Sequence, residues 1–172
     1  MPWIGPPLHD SFEALFGGDR ARAEQAVALY RERYDMQGWR EHRVYAGIAA
    51  MITAMPAEGW RLAVVTSKRE VFARRIIDAL PFGPAFSSVI GASDDGARRY
   101  KRELIAEALS RLQLTASGAT MIGDRRMDIE GARQHDMRSI GVLWGFGSAG
   151  ELRAAGADQL VASPDALLAA VR

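Results

Sequence analysis

Cysteine is absent from the 172 residues, which excludes disulfides, thiolate metal sites and a cysteine nucleophile. An excess of either charge is missing too: 22 basic and 21 acidic residues leave a formal net charge of +1. No field strong enough to hold nucleic acid or an acidic lipid surface follows from that balance. The arginine clusters Arg20/Arg22 and Arg98/Arg99 therefore read as solvated faces. Histidine is scarce, and His9, His42 and His135 stand alone without HxH or HxxxH spacing, so a histidine metal site is not expected. The uncharged stretch Val44 to Ala57 is too short to span a bilayer and holds Gly47 and Pro56, so it reads as a buried helix. No basic segment leads an apolar one at the N-terminus, and no signal peptide is read; the cytoplasm is the expected compartment. Ser148 has no G-x-S-x-G setting, and Gly145-Phe146-Gly147 lacks the spacing of a dinucleotide fingerprint, its glycines serving a turn.

What is present is the stretch Ala119 to Trp144. An apolar run, Ala119 to Ile122, stops at Gly123 and Asp124, so a buried strand delivers a carboxylate at its C-terminal end, where open α/β sheets keep their ligands. Asp128 follows four residues later, and a short helix is expected from Ile129 to Asp136 before a second buried strand, Ser139 to Trp144. Two carboxylates at one strand mouth suit a hard cation such as Mg²⁺, which takes oxygen ligands and keeps waters for a phosphate to replace. The plainer alternative is a helix N-cap at Asp124 with Asp128 as a solvated first-turn acid.

Along the chain, residues 1–43 are polar, arginine-rich and helical, with Asp19 as an N-cap and Ala23, Ala26, Val27 and Tyr30 at helical spacing. From Val44 onward helices and strands alternate. Helix 47–58, strand 61–66, helix 69–80, strand 88–91 and helix 101–112 precede the organising stretch. Helix 148–155, a short run at 159–162 and a final helix follow it, the last with Ser163 as N-cap and Pro164 at its first position. Such alternation predicts an α/β domain with a parallel sheet and helices on both faces.

Two more candidates sit on these elements. Strand 61–66, expected to be buried, ends in Thr66 and runs into a helix, so the Thr66 hydroxyl, Ser67 and the first backbone N–H groups can converge on an anion; the plainer alternative is that Thr66 or Ser67 only caps the helix. Lys101 begins a helix, where its charge opposes the helix dipole at a cost of a few tenths of a kcal/mol unless an anion is near. Asp94, Asp95 and Gly96 before it read as a turn.

A strand-end threonine, a helix-borne lysine and a strand-end GDxxxD, in that order, resemble the haloacid dehalogenase (HAD) superfamily, and more closely its phosphoglycolate phosphatase-like branch. The similar segments are Val44 to Ile48, Leu62 to Lys68, Ile90 to Ile105, Met121 to Ala132, Gly141 to Gly147 and Glu151 to Leu167, with Ile4 to Leu8 similar to the cap region. Ala46 departs from a proline that the family often has before Gly47. The resemblance implies a Rossmann-like core over residues 44–172, a partial helical cap over residues 1–43, and a Mg²⁺-dependent phosphomonoesterase working through an aspartyl-phosphate. Thr66 and Lys101 would be catalytic and, with Ser67, hold the substrate phosphate; Asp124 would ligate Mg²⁺, with Asp128 assisting. The substrate would be a small phosphorylated metabolite, phosphoglycolate-like or a nucleoside monophosphate, with neither nucleic acid nor membrane as partner.

One part of the pattern has no counterpart. The family's nucleophile and general acid lie in Asp-x-Asp-x-Thr at the end of a first, central strand, and no D-x-D occurs in these 172 residues. The expectation is a truncated or mis-started chain, inactive as it stands, whose strands at Thr66 and Asp124 lack the strand between them. The alternative is a non-catalytic phosphate-binding or interaction protein that completes its sheet with a second chain, for instance as a homodimer.

Overall fold

In the computed structural model, residues 6–171 are described. Helices α1 (Leu8–Leu15) and α2 (Arg20–Met36) pack on each other, with Phe12 edge-on to Tyr30 at 6.5 Å. As expected, Asp19 caps α2, accepting from the Arg22 N–H at 3.1 Å. Ala23 and Val27 are buried on its inner stripe, whereas Tyr30 stays largely exposed. Of the segment resembling a cap, Ile4 and Gly5 lie outside the described residues.

Helix α3 (Ile48–Ala54) is shorter than the uncharged stretch suggests, because Pro56 cannot donate an N–H and the chain tightens to a 3₁₀ turn over Met55–Glu58. Then come β1 (Leu62–Arg69), α4 (Glu70–Asp78), β2 (Phe86–Ala92) and α5 (Lys101–Leu112). They are followed by β3 (Thr120–Gly123), α6 (Arg126–Arg133), β4 (Arg138–Val142), α7 (Ala149–Ala155), β5 (Gln159–Val161) and α8 (Pro164–Val171). Ser163 caps α8 through the Ala166 N–H at 3.2 Å.

All strand pairs are parallel, and helices cover both faces. Ile140, Val142 and Val161 face a cluster with Met51, Ile52, Leu167 and Val171 of α3 and α8. Leu160 turns the other way, onto Ile129, Leu152 and Ala155 of α6 and α7. The sheet, however, is in two pieces: β1 pairs with β2, and β3, β4 and β5 pair in that order. Among the described residues β1 and β3 each keep one edge without a strand partner, the gap expected from the missing central strand. One expectation fails for the same reason: β1 is not a buried strand, since every one of its residues is only half-buried.

Several boundaries also differ from expectation, β4 for instance ending at Val142, short of Trp144. β1 continues past Thr66 to Arg69, and Arg69 rather than Thr66 or Ser67 is the N-cap residue of α4. Helix α6 starts at Arg126, not Ile129, so Asp128 lies inside its first turn and Asp136, at φ +53°, lies beyond its end. No helix among the described residues is long and apolar enough to cross a membrane.

Candidate functional site

The gap between β1 and β3 opens as a cleft of about 860 Å³, walled on the third side by α1 and α2. Thr66, Ser67, Lys101, Asp124 and Asp128 all line it, so residues separated by up to 62 positions meet in one place.

The β1 wall is shaped by a slip in register. Val65 pairs with Ile90 and Arg69 with Ala92, leaving Thr66, Ser67 and Lys68 opposite Gly91 alone. Such a bulge bends the strand and re-aims its side chains. Thr66 Oγ1 accepts from the Lys68 N–H at 3.2 Å, which leaves its own O–H free to donate into the cleft. Glu70 compensates the interrupted ladder by accepting from the Gly91 N–H at 3.1 Å. Burial alone would raise the Glu70 pKa, but hydrogen bonds from Arg111, Arg74 and Gly91 outweigh it and hold the carboxyl at about 2. Arg98 joins the same acidic cluster, reaching Glu107 at 3.2 Å and Glu70 at 3.8 Å, so it is not the solvated arginine its sequence setting suggests.

On the opposite wall the GDxxxD spacing acquires its geometry. Asp128, 8% exposed, accepts from the Arg125 N–H through Oδ2 at 3.0 Å and pairs through Oδ1 with Lys101 Nζ at 2.8 Å. It is therefore a helix-capping and lysine-holding group, not a solvated acid. Lys101 also donates to the Val65 carbonyl at 2.9 Å, and its side chain is only 10% exposed. The ammonium thus ties β1 to α6 with two of its three N–H groups, and the third remains for a ligand. Gly131 permits this reach: a Cβ there would stand 2.7 Å from Lys101 Cγ.

Asp124 is held by backbone. Its Oδ2 accepts from the Phe146 N–H at 2.8 Å, and Oδ1 has no partner among the described residues. Gly145 and Gly147 do more than turn the chain, because a Cβ on Gly145 would overlap the Asp124 side chain and one on Gly147 its carbonyl. Glu151 fixes the turn between, accepting from Arg125 Nε and the Arg126 N–H, each at 2.9 Å. Burial would raise the Glu151 pKa, but these donors lower it.

Four residues of the surroundings escaped the sequence reading: Lys68, Tyr34, Glu70 and Glu151. Only Glu151 left a signal, as the third residue of a helix after Ser148, where it completes an S-x-x-E capping pattern. A cluster of three or more His, Cys, Asp or Glu side chains suited to a metal does not occur among the described residues. What the cleft offers is a hydroxyl, an ammonium with one N–H to spare and one carboxylate with a free oxygen, which suits an anion held beside a hard cation.

The sequence and the fold have counterparts among known proteins. A 5′-nucleotidase of Pseudomonas aeruginosa is 44% identical over 152 residues, covering 88% of this chain and 69% of that protein. The tyrosine-protein kinase PtkA of Mycobacterium tuberculosis is 37% identical over 146 residues, 85% of this chain, which spans only 50% of the kinase. The crystal structure of a predicted phosphatase from Clostridium acetobutylicum superposes with a TM-score of 0.94 at 36% identity, covering 99% of this chain and 79% of the other. Residues 2–142 match the profile of the haloacid dehalogenase-like hydrolases, and the chain belongs to that family.

Proposed function

We propose that the cleft is the phosphate and Mg²⁺ site of a phosphomonoesterase acting on a small phosphate ester, and that the 172-residue chain binds without turning over. The observation that carries this reading is Lys101, whose buried ammonium stands between the Val65 carbonyl and Asp128 in the cleft that Thr66 and Asp124 also line. A cation fixed in this way neutralises the oxygens of a transferring phosphoryl group without reorganising at the moment of reaction. Thr66, through its hydroxyl, and Ser67 would hold the same phosphate. Helices α1 and α2 would select the leaving group, as a cap does.

Mg²⁺ fits these residues. Asp124 presents a free oxygen, and the ion commonly takes only one or two protein carboxylates, with phosphate and water completing its shell. When bound, it would supply charge neutralisation at the phosphate. Asp128 has both oxygens engaged, so its part would be to orient Lys101. No D-x-D is present to accept the phosphoryl group, which is why turnover is not expected.

The test is a pair of measurements on the purified chain. Inorganic phosphate should bind saturably, more tightly with Mg²⁺ present, and Asp124→Asn should erase the Mg²⁺ effect. Hydrolysis of p-nitrophenyl phosphate should be undetectable; Mg²⁺-dependent hydrolysis that disappears in Lys101→Ala would overturn the inactive assignment. A second reading, a non-catalytic phosphate-responsive interaction protein, is favoured by the edges of β1 and β3 that have no strand partner among the described residues. A dimer that forms with rising protein concentration and without turnover would support it.

A further inference from the structure

Glu70 stands outside the lining of the cleft, yet it is joined to both elements that carry the phosphate-site residues Thr66 and Lys101. On the β1 side, Thr66, Ser67 and Lys68 have no β2 residues of their own in register, so ladder pairing does not fix where the Thr66 hydroxyl points. Their backbone instead lies against Gly91, where a Cβ would stand 2.4 Å from Glu70 Cα and 2.7 Å from the Lys68 carbonyl oxygen. Glu70 Oε2 closes that contact by accepting from the Gly91 N–H at 3.1 Å. On the α5 side, Arg111 Nη1 donates to Glu70 Oε1 at 3.0 Å. Arg111 also donates through Nε to Glu107 at 2.7 Å, and Arg98, just before the helix begins, joins Glu107 at 3.2 Å. Beside Glu70, Arg69 reaches Asp94 at 2.6 Å, in a loop that closes where the Ser93 N–H donates to the Arg98 carbonyl at 2.9 Å.

Helix α5 is therefore tied to the stretch 65–70 on both sides of the bulge: Lys101 grips the Val65 carbonyl before it, and Arg111 grips Glu70 after it. A tie at one end alone would let the helix pivot about Lys101; the second fixes the ammonium relative to the Thr66 hydroxyl. The requirement on position 70 is narrow. Glutamine could accept from Gly91 or from the arginines at Oε1, Arg74 and Arg111, but its amide nitrogen would then face donors at the other end. Aspartate, one methylene shorter, would reach one side only. We infer that Glu70 is a positioning residue of the phosphate site: its carboxylate seats the Thr66–Lys68 bulge on Gly91 and, through Arg111, holds the helix that bears Lys101 to that bulge. This rests on the phosphate site proposed above and adds to it a residue that touches no ligand.

The test is the affinity of the full 172-residue chain for inorganic phosphate with Mg²⁺, measured by calorimetry on the wild type, Glu70→Gln, Glu70→Asp and Ser163→Ala. Electrostatics and positioning predict opposite signs for Glu70→Gln. Removing a negative charge from the neighbourhood of an anion site tightens phosphate binding, whereas displacing the bulge weakens it. The expected result is a loss of about tenfold or more in Glu70→Gln, and of about threefold or more in Glu70→Asp, which keeps the charge. Ser163→Ala, a change remote from the cleft, should leave the affinity within about twofold, because the dissociation constant of a folded protein does not follow its global stability. Unchanged or tighter binding in Glu70→Gln, or an equal loss in Ser163→Ala, overturns the assignment. Glu70→Asp decides in the same way should Glu70→Gln fail to fold. Should the wild type bind no phosphate, the phosphate site fails, and the positioning is read alone from the Lys68 amide, which donates to Thr66 Oγ1 at 3.2 Å. Its hydrogen exchange should quicken in Glu70→Gln by about tenfold or more beyond any change at the amide of the buried Ile140, which reports global opening. A change no greater than that at Ile140 overturns the positioning as well.

Discussion

The two pieces of sheet are built on the same parallel geometry and differ in how completely they are enclosed. In the three-stranded piece, β4 has partners on both edges and helices on both faces, and Ser139 and Ile140 are wholly buried. In the two-stranded piece β1 is bonded on one edge only among the described residues and remains half-buried throughout. Parallel strands usually read as continuous apolar runs because they are covered on both sides. Val64-Val65 and Ile140-Gly141-Val142 are alike in sequence, yet only the second run obtains the environment its composition suits. Burial here follows from the neighbours a strand acquires, and composition alone does not determine it.

The comparison can be broken most decisively at the link between the pieces. Lys101→Met should cost about 3–5 kcal/mol, because it strands the buried Asp128 carboxylate as well as freeing Val65. A loss of less than about 1 kcal/mol in the stability measured by urea denaturation would mean the two pieces do not depend on this bridge. Next in size, Ile140→Ala in β4 should cost about 2–5 kcal/mol, and Val64→Ala in half-buried β1 less than about 1.5 kcal/mol. Equal costs would erase the distinction between the strands.

A pH titration sharpens the comparison further. Glu70, held at about 2, substitutes for ladder bonds at the β1 bulge. Its folded pKa is depressed, so its contribution is complete above the unfolded value of about 4.5 and declines as pH falls toward about 2, by up to about 3 kcal/mol in all. Glu70→Gln should flatten that part of the stability profile, measured by urea midpoints from pH 6 to pH 2. The smallest effect is expected at a helix end remote from the gap, where Ser163→Ala should cost about 1 kcal/mol at any pH.

What the sequence made legible was local. The caps at Asp19 and Ser163, the turn at Asp95 and Gly96, the strand–helix alternation and the convergence of Thr66, Lys101, Asp124 and Asp128 all depend on short spacings or on strand ends. Hidden from it were contacts made across the fold. Lys68 meets Tyr34 over 34 positions, Lys101 meets Val65 over 36, and Arg111 meets Glu70 over 41. The start of α6 was missed because Arg125 and Arg126 look like a polar turn, and only the Asp128 carboxylate bonding back to the Arg125 N–H reveals the first turn. The exposure of β1 was missed because periodicity reports which face a strand could bury, not whether both of its edges find a partner.

The backbone grip on Asp124 bears on how this chain can tolerate mutation. The hydrogen bond at position 146 comes from a main-chain N–H, which any residue but proline supplies, and the Phe146 side chain is 48% exposed. Positions 145 and 147, by contrast, exclude even a methyl group. The loop is therefore permissive at its centre and closed on both sides of it. Random substitution there should yield a Gly-x-Gly pattern with an almost free middle letter, so the most variable residue of the segment is the one whose amide holds the carboxylate.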